Sequence, residues 1–65
     1  MNVIIRNPIR RDIQISGQRR VEELLRELDL NAASHIVIRN GELLTRDDVL
    51  YDDDNPEVVS ATSGG

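Results

Sequence analysis

The 65-residue chain has no cysteine, no lysine, no phenylalanine and no tryptophan, with one histidine and one tyrosine. Without cysteine there is no thiol nucleophile, no thiolate-ligated metal, no disulfide and no redox chemistry on the protein itself. No apolar run approaches the roughly 20 residues of a membrane span. Met1 leads straight into a strand-like run rather than a signal peptide, so the expectation is a soluble cytoplasmic protein with no membrane contact. The arginine pairs at 10–11 and 19–20 lack the neighbouring aromatic rings on which bases stack, and a net charge of −4 opposes contact with phosphates. Direct nucleic-acid binding is therefore not expected, and these arginines read as surface charge.

The single histidine and the one aspartate run are equally uninformative as sites. His35, with no cysteine or paired acid nearby, has little claim to catalysis and reads as a surface residue at a strand edge. Asp52-Asp53-Asp54 lacks the alternating spacing and the glycine of a calcium loop, so it reads as a solvated turn and no metal is expected. All eight cationic side chains are arginine, which leaves the α-amine as the one aliphatic amine.

What is present fits one small domain, of a size that buries only about 60% of its unfolded surface. Residues 1–30 hold six arginines and five acids, whereas residues 31–65 hold two arginines and seven acids. The acidic half keeps a small protein soluble and can steer a basic partner.

Asn2-Val3-Ile4-Ile5-Arg6 reads as a first strand, punctuated by Asn7-Pro8, and Ile13-Gln14-Ile15 as a second, ended by Gly17. From Arg20 the period changes. Val21, Leu24, Leu25 and Leu28 form one helical stripe of about two and a half to three turns. Glu22–Arg26 is a favourable i,i+4 pair, and Asn31 is the expected C-cap. Ile36-Val37-Ile38 reads as a third strand, turning through Asn40-Gly41 into Glu42-Leu43-Leu44. A short turn at Thr45–Asp48 and the polar 52–56 segment precede a last strand over 57–61. Alternation assigns Val3, Ile5, Ile13, Ile15, Val21, Leu24, Leu25, Leu28, Ile36, Ile38, Leu43, Leu50 and Val58 to the core.

The order β-β-α-β-β-β, with one helix for one sheet to cover, predicts an α+β β-grasp fold. In it a mixed sheet of four or five strands packs on one helix, and the last strand lies parallel to the first. Residues 1–61 would form this ubiquitin-like domain and 62–65 a flexible diglycine tail. That tail, Ser63-Gly64-Gly65, carries the chemistry. Without Cβ atoms Gly64 and Gly65 can lie flat in a narrow channel, leaving the terminal carboxylate unshadowed by side chains.

With this tail, the segments Val21–Leu28 and Asn40–Thr45, and the ending Val58–Gly65, the chain resembles the ThiS/MoaD family of sulfur carriers over its whole length. Its compact length and its Ser-Gly-Gly ending lean toward the branch that serves tRNA 2-thiouridine synthesis. One departure is Asp53-Asp54-Asn55-Pro56, where the family often has Asp-Gly-Asp before an apolar residue; proline removes an amide at the start of the last strand.

The resemblance implies a stoichiometric co-substrate rather than an enzyme, monomeric and with no bound cofactor. A ubiquitin-activating-type enzyme, using ATP and magnesium, would adenylate Gly65, and Ser63 and Gly64 would thread the tail into it. A cysteine desulfurase or rhodanese-like donor would supply sulfur to give a thiocarboxylate. A sulfur-acceptor enzyme such as a tRNA thiolase would consume it. Thiamin or molybdopterin synthesis, or conjugation of Gly65 to lysines as a protein modifier, are alternative ends of the same chemistry. If Ile36 and Ile38 face the helix, Val37 and Val59 form an exposed pair near the base of the tail where the activating enzyme docks.

Overall fold

The structure, a computed structural model, describes residues 1–6 and 9–61. The Asn7-Pro8 break and the tail residues 62–65 therefore lie outside the described residues. In chain order the elements are β1 (Asn2–Ile5), β2 (Arg11–Gln14), β3 (Arg19–Arg20), α1 (Val21–Glu27), β4 (His35–Arg39), β5 (Glu42–Leu44), β6 (Val49–Leu50) and β7 (Glu57–Ser60). Five of the strands make one mixed sheet in the order β2-β1-β7-β4-β5. β7 runs parallel to β1, and the other pairs are antiparallel, which is the β-grasp topology the element order predicts. β3 and β6 form a separate two-stranded ladder.

The apolar stripe of α1 covers one face of this sheet: Val21, Leu24 and Leu25 join Met1, Val3, Ile5, Val37, Leu50 and Val58 in a single core cluster. Ile13, Ile15, Leu28, Leu30 and Leu44 pack half-buried around it.

α1 begins where the period changes, with no side-chain N-cap, but its C-terminal end differs from expectation. Arg20 precedes the helix and cannot accept a hydrogen bond through its side chain, so the first turn is satisfied from elsewhere. Val21 N–H donates to the Asp48 carbonyl at 2.9 Å and Glu22 N–H to the Arg46 carbonyl at 3.1 Å. The Glu23 carboxylate accepts the Arg20 N–H at 2.8 Å. The C-terminus comes earlier than Asn31. Asp29 adopts a left-handed φ of 60°, its N–H donates to the Arg26 carbonyl at 3.0 Å, and Leu30 N–H donates to the Leu25 carbonyl at 2.8 Å. This paired closure turns Leu30 back toward the core. The helix is accordingly seven residues long, and Glu22 and Arg26 form no ion pair.

The largest correction concerns β4. Val37 is 1% exposed and belongs to the core, whereas Ile36 and Ile38 are half-buried on the opposite face. The ladder explains this: Val37 pairs with Val58 on β7 and with Leu44 on β5. Asn40 and Gly41, both at positive φ, close the hairpin so that Arg39 meets Glu42, and counting back sets Ile38 against Leu43. Leu43, assigned to the core by alternation, is 68% exposed. Pro56 does not disturb β7, because its carbonyl accepts the Ile4 N–H at 3.0 Å and the ladder begins at Glu57.

Candidate functional site

β7 is the last element before residues 62–65, and its end is held by β4 and by the residue that precedes β4. Ser60 pairs with His35, and one residue later the Ala61 N–H donates to the Ser34 carbonyl at 2.8 Å. That carbonyl is presented by the loop after α1. Asn31 Oδ1 accepts the Ala33 N–H at 2.8 Å, and the Asn31 carbonyl accepts the Ser34 N–H at 3.1 Å. The same carbonyl lies 3.0 Å from Nδ1 of His35, whose ring also approaches Ser34 Oγ at 3.2 Å. His35 is the first residue of β4, half-buried and paired with Ser60 of β7. Ser63, Gly64 and Gly65 themselves lie outside the described residues.

Of the two residues expected to form a docking pair, Val37 is in the core and cannot touch a partner. Val59 does lie on the outer face, and there it pairs with Ile36. Ile38, two residues along β4, pairs with the exposed Leu43. The apolar outer-face group is therefore Ile36, Ile38, Leu43 and Val59. The Arg6–Glu57 ion pair at 2.8 Å edges it. Reading β4 from its sequence misses Ile36, Ile38 and Leu43 because three consecutive apolar residues carry no polar marker of which face is outward.

The other polar features have structural roles. Arg39 donates to the Val49 carbonyl at 2.8 Å and to Asp54 at 3.1 Å, and Asp54 also accepts the Tyr51 N–H at 2.8 Å. Arg19 clamps the Ser16 carbonyl at 2.6 Å and pairs with Glu27, so this arginine is not free surface charge. Asp52 accepts the Gly17 N–H at 2.8 Å and lies 3.7 Å from the Met1 ammonium. The Gly17 hydrogen bond, with the nearby ammonium second, holds the Asp52 carboxyl below the ordinary aspartate range. Among the described residues no three histidine or acidic side chains gather as metal ligands, and no helix is long and apolar enough to cross a membrane. An open cleft of about 430 Å³ beside α1 is lined by Glu22, Arg26, Asp29 and Arg46 over Leu25 and Leu30, and contains no nucleophile.

The family model for ThiS matches residues 4–65. The sulfur carrier protein TtuB of Thermus thermophilus is 42% identical over 65 residues, covering the whole of both chains. With the fold, the family match over residues 4–65 and this relative in agreement, the chain belongs to the ThiS family.

Proposed function

We propose that the protein is a sulfur carrier that bears its sulfur on the carboxyl group of Gly65, serves tRNA 2-thiouridine formation and works in the cytoplasm. The observation that carries this reading is the end-to-end likeness to a sulfur carrier, including a family match that runs through Gly65. A β7 strand held at its root by Ser34 supports it, because the body can then stay folded while only the last four residues enter a partner.

In this reading the Gly65 carboxylate attacks the α-phosphate of ATP on a separate adenylating enzyme that supplies magnesium, and pyrophosphate leaves. The terminal sulfur of a persulfide then displaces AMP, and cleavage of the S–S bond by a second thiol leaves the thiocarboxylate. The desulfurase or rhodanese-like donor supplies the persulfide, and a tRNA thiolase takes the sulfur. The chain contributes no acid, base or metal. Its body contributes the docking surface, which we assign to Ile36, Ile38, Leu43 and Val59 because Val59 sits on the strand that leads into the tail.

The test is the intact mass of the chain after incubation with its adenylating enzyme, ATP and a persulfide donor. Replacement of one oxygen by sulfur at Gly65 is expected, and an unmodified carboxylate with every component active would exclude the reading. Adducts to lysines of other proteins without any thiocarboxylate would mark a protein modifier instead.

A further inference from the structure

With every cationic side chain an arginine, the Met1 α-amine is the one aliphatic amine in the sequence. Chain ends usually stand free in solvent. This one does not: Met1 is 7% exposed, and its side chain is 0% exposed within the core cluster. Its ammonium donates to the Ile15 carbonyl at 2.5 Å, and its own carbonyl accepts the Ile15 N–H at 2.9 Å. Met1 and Ile15 thus add a rung beyond the Asn2–Gln14 end of the β1–β2 ladder. On another side the ammonium faces Asp52 at 3.7 Å, and Asp52 is itself held by Gly17.

We infer that the fold shields the Met1 amine from acyl transfer, so that the folded chain acts as an acyl donor and is a poor acceptor for another copy's activated Gly65. Attack on an acyl adenylate needs the nitrogen lone pair. The new C–N bond forms as the bond to AMP breaks, AMP leaves with the electron pair, and a nitrogen proton passes to solvent. Here the nitrogen points at the Ile15 carbonyl and the Asp52 carboxylate. Freeing it for attack breaks the ladder rung to Ile15 and the pairing with Asp52. With no lysine to substitute for it, the surface of one copy offers no amine to the activated end of the next. Transfer from one copy to the next rests on the proposed activation of Gly65; the shielding of the amine does not.

The experiment is acetylation with an N-hydroxysuccinimide ester of acetate at neutral pH, followed by intact mass spectrometry of the folded chain and of a peptide spanning residues 1–5. Shielding predicts that the folded chain reacts at least about tenfold more slowly than the peptide, since attack must wait for local opening. Equal rates overturn the inference. An Arg11→Lys chain carries a second, exposed amine on the same fold and should gain one acetyl group rapidly while Met1 lags. If both sites label together, the lock does not exist. Asp52→Asn should raise the Met1 rate with unchanged circular dichroism, and an unchanged rate removes the ion pair from the lock. No adenylating enzyme is present, so the outcome is independent of whether Gly65 is activated.

Discussion

Val37 and Val58 are paired in the β4–β7 ladder, and both are closed to solvent, at 1% and 0% exposure. They join the central strand β7 to its neighbour β4 on the face that α1 covers. Val37→Ala removes two buried methyl groups and leaves a cavity between these strands. It should cost about 2 kcal/mol, measured by urea unfolding. Leu43→Asp, on exposed β5, should change stability by no more than about 0.5 kcal/mol. A reversed ranking would return Val37 to the outer face.

Docking of the adenylating enzyme should depend on that outer face. Leu43→Asp combined with Val59→Thr should weaken binding at least about tenfold, or about 1.4 kcal/mol, by calorimetric titration. The unfolding midpoint of the double variant checks that the body is intact. Unchanged affinity would move the docking surface elsewhere.

Activation should fail without Gly65. Deleting it draws the carboxylate back by one residue, about 3.3–3.6 Å. Displacements of about 1 Å can already cost a hundredfold in rate, so ATP–pyrophosphate exchange should fall below detection while the circular dichroism is unchanged. Exchange at the full-length rate would show that Gly65 is not the adenylated residue.

Asp52 should leave a mark on acid stability. Its carboxyl is held below the ordinary value of about 3.9 by the Gly17 N–H and the Met1 ammonium, so the unfolded chain binds its proton first as pH falls. The stabilisation is fully present above that ordinary value and is lost as pH drops through the lower, folded value. The stability gap between the parent chain and Asp52→Asn should therefore be flat near neutrality and narrow below about pH 4. A gap that persists at the acid end would trace it to packing rather than charge.

Much of the fold is legible in the residues themselves. The i, i+3, i+4, i+7 spacing of Val21, Leu24, Leu25 and Leu28 identifies the helix face, and Asn40-Gly41 identifies the hairpin turn. Ile36-Val37-Ile38 conceals its orientation because all three residues are apolar and β-branched, so either face satisfies alternation. Arg19–Arg20 and Val49–Leu50 are too short to show any period, and they become strands only because each supplies the other's partner. The start of α1 is unreadable locally, since its first amides are satisfied by Arg46 and Asp48, more than twenty positions away. For the site, the diglycine marks itself in the sequence, whereas the surface beside it depends on that hidden orientation of β4.

The bond from Ala61 to Ser34 turns the end of the chain into a measuring rod. Four residues follow Ala61, and at most about 3.3–3.6 Å each they span roughly 13–14 Å when fully drawn out. A partner that grips the outer face of the sheet must keep its nucleotide within that radius of Ala61. One with a deeper reaction centre would have to peel Ala61 from Ser34 and unzip the end of β7. If Gly65 is activated as proposed, the depth of the partner's channel is set by where the ladder of this small protein stops.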